Sequence, residues 1–173
     1  MVSICKALPT VPSTSGGFTF MEVLISVFIM AVGILGLVGL QITSLNMNRD
    51  ALMSIEAHQL MADLVDRIDS NSATTYGPID LGDAPVDSPD CTLSICTPAQ
   101  MANYDISRWL CAINSEDVDG VTHTACTTLG IDGIFPQGQG AVSLADDQYR
   151  IRLQWVDVHT DEARSSELYL QVN

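Results

Sequence analysis

Residues 16–22 read GGFTFME, and residues 23–40 continue as VLISVFIMAVGILGLVGL. Between Phe18 and Leu40 the polar side chains are Thr19, Glu22 and Ser26. A stretch of that length, rising ~1.5 Å per residue as a helix, crosses the ~30 Å of a bilayer's hydrocarbon. The core helix of a soluble protein keeps a polar face, and this stretch has none after Ser26, so it predicts a membrane-spanning helix. Glu22 is the anomaly. A carboxylate inside a membrane helix costs about 3 kcal/mol on insertion scales, and by default it marks a function with a partner of opposite charge. The segment holds no Lys or Arg. The partner must therefore come from another molecule or from processing. Cleavage after Gly17 supplies one, because Phe18 then carries an α-amino group four residues from Glu22.

Upstream, residues 1–17 read MVSICKALPTVPSTSGG, with Lys6, Pro9 and Pro12. This is too polar for the core of a secretory signal, and the exit from the apolar run, GLVGLQITS, offers no A-x-A-like cleavage site. Cys5 lacks the preceding apolar stretch of a lipoprotein signal. With Lys6 and the chain's amino end on the short side, the leader is expected in the cytoplasm and everything after Leu40 in the periplasm.

Gly17-Phe18-Thr19-Phe20-Met21-Glu22, followed by an apolar helix, resembles the prepilin peptidase signature of type IV pilins and the related pseudopilins. The resemblance implies that a membrane peptidase cuts between Gly17 and Phe18 and that Phe18 becomes N-methylated. It also implies that Glu22, with Thr19, serves subunit docking and assembly. The leader departs from many in the family by placing Thr14, Ser15 and Gly16, and no Lys or Arg, beside the cleavage site. The stretches AVGILGLVGLQITSL (31–45) and YRIRLQWVD (149–157) are similar to the minor pilin group called type IV pilus modification protein PilV. That implies a structural subunit that primes or modifies pilus assembly and supports adhesion or motility. Its partners would be the prepilin peptidase, other major and minor pilins, the assembly machinery and inner-membrane lipid. Its location would be the inner membrane, single-pass with a periplasmic head, and then the pilus fibre. A type II secretion pseudopilin and a membrane-anchored periplasmic binding or adhesion module are the alternatives.

Working outward along the chain, Gly33, Gly36 and Gly39 fall near one face of the apolar helix, each costing about 1 kcal/mol relative to Ala. They suit either close packing against a neighbouring helix or a stretch able to unwind. Beyond Leu40 the pattern becomes amphipathic: Ile42, Leu45, Leu52, Ile55, Leu60, Leu64 and Ile68 recur at helical intervals among charged residues. One helix from Phe18 to Ser70 would span roughly 80 Å. Asn71 to Pro98 reads as an irregular connection. Thr97-Pro98 predicts the start of a second, short helix ending near Asn114, with Met101, Ile106, Trp109, Leu110 and Ile113 on one face. Ser115 to Gly140 reads as loop. Alternation predicts strands at Ala141–Leu144, Tyr149–Val158 and Glu167–Val172, with residues 157–166 as the last turn. Trp109 and Trp155 lie on apolar faces and are expected in the core.

The domains are then a leader (1–17), a transmembrane and assembly helix (18–40), its amphipathic continuation (41–72) and a periplasmic head (73–173). The fold class is α+β and pilin-like: a long N-terminal helix on a small antiparallel sheet, with a second short helix.

Composition narrows function further. Asp and Glu number 21 against 7 Lys and Arg, a formal charge of −14, which repels phosphate backbones and excludes a nucleic-acid role. Cys91, Cys96, Cys111 and Cys126 form an even set in the part of the chain expected in an oxidising compartment. Four cysteines allow three connectivities, which sequence does not distinguish. The local pairing, Cys91 with Cys96 and Cys111 with Cys126, is the expectation, and the second loop would contribute roughly 3 kcal/mol. The spacings do not suit zinc, His58, His123 and His159 are dispersed, and Asp117, Asp119 and Asp132 match no EF-hand, so no metal is assigned. No cofactor is assigned either. The chain contains neither G-x-S-x-G nor H-E-x-x-H, and the expectation is a protein without enzymatic activity.

Overall fold

A computed structural model describes residues 17–158 and 160–171. Residues 1–16, His159 and the end of the chain lie outside the described residues, and with them most of the expected leader, including Cys5 and Lys6. Six elements follow in order: α1 (Phe20–Ser70), α2 (Pro98–Ile113), α3 (Thr124–Leu129), β1 (Gln139–Ala145), β2 (Gln148–Val156) and β3 (Ala163–Gln171). The chain divides into two units, one ending at Asn46 and one beginning at Met47.

In the first unit α1 is apolar on all sides from Val27 to Leu40. Phe20, Leu24, Phe28, Val32, Leu35 and Leu40 are all exposed, and the helix contains an 18-residue window of mean hydropathy 2.8. It is long and apolar enough to cross a membrane.

The second unit is an α+β head. The remainder of α1 contributes Ala57, Met61, Leu64 and Ile68 to the core, with Met53, Leu60 and Val65 packed against it. Steps of four, three and four residues keep the buried four on one side of the helix. This buried stripe differs from the predicted one in its first half. Ile42, Leu45, Leu52 and Ile55 are exposed, while Ala57 and Met61 are fully buried. Two apolar stripes overlap on this helix, and apolar spacing alone does not say which meets the protein's own head.

The sheet is three-stranded and antiparallel in the order β1-β2-β3. Its register sets Val142 opposite Ile151 and Ile151 opposite Leu168. Along β2 the alternation buries Tyr149, Ile151, Leu153 and Trp155, and these join α1 and α2 side chains in one core. Trp109 and Trp155 are both buried in it, as expected. Asp146 and Asp147 join β1 to β2 with positive φ at both positions, the backbone of a two-residue type I′ hairpin. β3 begins at Ala163, not Glu167, because Val156 still pairs with Ala163, so the connection shortens to residues 157–162.

α2 starts where predicted. Thr97 Oγ1 accepts from the Gln100 N–H, and the Gln100 side chain accepts from the Thr97 N–H, a reciprocal cap followed by Pro98. The region expected to be all loop contains α3. Its six residues are held by the Cys126 disulfide, and it ends at Gly130, whose φ of 63° needs no Cβ.

Candidate assembly site

At the start of α1, Gly17 and Phe18 precede the helix and both are exposed. Among the described residues nothing lies within 4 Å of where a Cβ on Gly17 would stand. Thr19 caps the helix: its Oγ1 accepts from the Glu22 N–H at 3.3 Å, and its carbonyl accepts from the same group at 3.0 Å. Thr19 and Glu22 thus stand at the first and fourth positions of the S/T-x-x-E capping pattern, a signal legible in TFME that the sequence reading did not use. A carboxylate in the first turn also faces the positive end of the helix dipole, which lowers its cost there. Among the described residues the Glu22 side chain has no hydrogen-bond or ion-pair partner. Its carbonyl instead accepts from Ser26 Oγ at 2.7 Å. The arrangement leaves an exposed carboxylate at the start of an apolar helix, four residues after Phe18.

α1 runs unbroken through Gly33, Gly36 and Gly39. An added Cβ at any of the three would meet nothing within 4 Å, so the unit up to Asn46 keeps a smooth strip along these positions.

In the head, Cys91 is bonded to Cys96 and Cys111 to Cys126. Cys111 and Cys126 are fully buried and tie α2 to α3. Cys91 and Cys96 close a short loop just before α2. Among the described residues no group of His, Cys, Asp and Glu side chains is placed to hold a metal ion. His58 instead lies 3.3 Å from Ser166 Oγ.

The polar centre of the head escaped the sequence reading. Asp105, on α2, is buried and bridges two elements: Oδ1 accepts from Arg67 Nη1 at 2.8 Å and Oδ2 from the Tyr76 hydroxyl at 2.8 Å. Arg67 Nε also donates to Asp63, one turn earlier on α1, at 2.8 Å. Burial works to lower the Arg67 pKa, but the hydrogen bonds and charges of Asp63 and Asp105 outweigh it and push it up, so the guanidinium stays charged. Burial pushes the Tyr76 hydroxyl up, the Asn71 amide opposes this, and the bond to Asp105 adds to it. Asn71 Nδ2 completes the group by donating to Tyr76 Oη and to the Pro98 carbonyl. A signal was available: Asp105 lies three residues after Ala102 and four before Trp109, on the apolar side of its own helix. A shallow cleft of about 490 Å³ opens beside the network, lined by Asp63, Asp66, Ser70, Cys96 and Met101. Asp63, Arg67 and Asp105 are already paired with one another, so the arrangement locks the end of α1 to α2.

Residues 39–107 match the family model Tt1218-like, described as type IV pilin Tt1218. The matched stretch covers the later part of α1, the disulfide loop and the first half of α2, and it supports a type IV pilin family. No curated protein and no solved structure matches the chain significantly.

Proposed function

We propose that this chain is a type IV pilin of the minor kind, processed between Gly17 and Phe18 and built into a pilus through its apolar helix. The observation that carries the reading is Glu22. It is an exposed carboxylate with no partner among the described residues, on a helix that carries no polar side chain from Val27 to Leu40 and whose continuation matches a type IV pilin family model. In lipid such a group needs a positive partner. The amino group freed at Phe18 supplies it, on the same chain or on a neighbour displaced along the filament. Thr19 acts with it by fixing the first turn, so that the Glu22 side chain leaves the helix in one direction. Gly33, Gly36 and Gly39 give neighbouring helices a surface for close approach. The protein then belongs in the inner membrane with its head in the periplasm, and afterwards in the fibre, with the prepilin peptidase, other pilins and the assembly machinery as partners. The PilV-like stretches at 31–45 and 149–157 favour a role in priming or modifying assembly, with adhesion or motility as the consequence.

The test is the mature amino terminus and the sheared fibre. Mass spectrometry of protein recovered from pili is expected to find methylated Phe18. Glu22→Ala is expected to leave the protein cut and membrane-inserted, yet depleted at least tenfold from sheared pili on immunoblots. An uncut protein confined to the membrane, or wild-type amounts of the variant in fibres, would overturn the reading. Recovery only in a secretion pseudopilus would keep the processing and move the protein to the other branch of the family.

A further inference from the structure

The loop closed by Cys91 and Cys96 presents its apolar side chains outward. Leu93 is 87% exposed and Ile95 fully exposed. The hydroxyls of the polar residues between and before them bond back to Asp90: Thr92 Oγ1 donates to Asp90 Oδ1 at 2.6 Å and Ser94 Oγ to the Asp90 carbonyl at 2.8 Å. The backbone N–H groups of Thr92, Leu93 and Ser94 also end on Asp90. Asp90 thus gathers the loop's hydrogen bonds, and the loop's exposed apolar side chains are the two branched aliphatics Leu93 and Ile95. A loop ordered by a disulfide and its own hydrogen bonds loses little further entropy on binding, which is the condition for a small rigid plug.

We propose that the 91–96 loop is a docking plug, and that Leu93 and Ile95 enter an apolar socket, rimmed by Lys or Arg, on a different protein subunit of the same filament. Charge selects the partner. Residues 80–97 carry Asp80, Asp83, Asp87 and Asp90 and no Lys or Arg, within a chain of formal charge −14. A second copy brings the same negative charge to the contact and is disfavoured, as is an anionic lipid surface. A basic rim is favoured and speeds encounter. The loop precedes α2, and Asn71 bonds the Pro98 carbonyl at 2.9 Å, so within the head the plug is held to the end of α1.

This proposal rests on the pilin reading, and the experiment separates the two. A photo-crosslinking amino acid is placed at Ile95 in the full chain, and in a parallel strain at Leu52, on the exposed stripe of α1, with both proteins expressed in cells assembling fibres. The expected result is an Ile95 adduct whose tryptic peptides map to one other pilin-type chain, at contacts flanked by Lys or Arg. Leu93→Asp with Ile95→Asp is expected to lower co-purification of that chain at least tenfold, without changing the melting of the head, since both side chains are in water. Adducts at Leu52 with none at Ile95 overturn the plug while leaving the pilin reading in place. An Ile95 adduct with a second copy, or with lipid, overturns it as well. Adducts at neither position, with an uncut leader, overturn both.

Discussion

Replacing Arg67 by Met removes the cation that, among the described residues, pairs with the buried Asp105 carboxylate. The Asp105 side chain is 5% exposed and that of Arg67 29%, so the two sites respond differently. Stripping one partner from a buried pair costs about 3–5 kcal/mol, because the remaining charge stays desolvated. Asp63, the second partner of Arg67, faces solvent and needs no compensation when the cation leaves. Arg67→Met is therefore expected near the lower end, about 3 kcal/mol, which for a domain of this size lowers Tm by about 10 °C. Asp105→Asn keeps an oxygen for Tyr76 or Arg67 and leaves a cation that can reach water and Asp63, so its expected cost is about 1–2 kcal/mol. The decisive variant is Arg67→Met with Asp105→Leu, which replaces the pair by apolar side chains. Such replacements are often neutral, so the double variant is expected to melt above the Arg67→Met single. Tyr76 keeps Asn71 and the Arg67 carbonyl, at 3.1 and 3.3 Å. Melting followed by near-ultraviolet circular dichroism on the full chain in detergent reads the head directly, through the buried Trp109 and Trp155. Additive losses in the double variant, or an Arg67→Met protein melting within 2 °C of wild type, would refute the account.

Other substitutions separate further causes. Cys111→Ala with Cys126→Ala opens a 15-residue separation and should cost about 3 kcal/mol, whereas Cys91→Ala with Cys96→Ala opens 5 and should cost about 2 kcal/mol, a ranking that denaturant titration checks. Gly140→Ala drives a Cβ into the Trp109 ring and Ile113, and should destabilise the head by about 1–3 kcal/mol, seen as a lower urea midpoint. Gly33→Ala meets open space in the chain alone and should add about 1 kcal/mol of helix stability, so a defect confined to fibre yield would reveal a neighbouring helix packed there. The hydrogen bond from Arg150 and then that from Tyr169 hold Glu167 below the usual carboxylate range. Its folded pKa is depressed, so its contribution is present above the unfolded value and is lost as pH falls through the folded one. Melting temperature should therefore fall below about pH 4, with a shallower fall in Glu167→Gln.

Where patterning was unambiguous, sequence and structure coincide. The apolar run could only be helix, Thr97 with Pro98 announced α2, and the alternation YRIRLQW set the inward face of β2. What was not legible depended on partners distant in the chain. Ala57 is too small to stand out in a hydrophobic pattern, yet it is fully buried where α1 meets the core, while the larger Leu52 and Ile55 stay exposed. α3 is short and rich in Thr, a weak helix former, and exists because a disulfide and a left-handed glycine hold its ends. The Asp105 bridge needs Arg67 from 38 residues away, a juxtaposition that no local window contains.

The start of α1 poses the same problem in a form that matters for function. Thr19 and Glu22 have a local explanation, as a helix cap with a carboxylate in the first turn, and an intermolecular one, as an assembly contact. The local explanation accounts for the backbone: the Glu22 N–H is bonded to Thr19, and a carboxylate in that turn is favoured by the dipole. It does not account for the medium. At an exposed helix end in water, a favourable first-turn carboxylate contributes at most about 1 kcal/mol, whereas an unpaired charge drawn into the hydrocarbon costs up to about 3 kcal/mol at its centre. The cap alone leaves that difference standing against Glu22, and Gln or Ser at position 22 would give Thr19 the same backbone N–H without it. On the proposed reading, a positive group from outside the helix closes the gap. For that reason Glu22→Gln, which preserves the capping geometry and removes the charge, separates the two explanations: fibre incorporation equal to wild type would reduce Glu22 to a cap, and its loss with an intact helix would assign the charge to assembly.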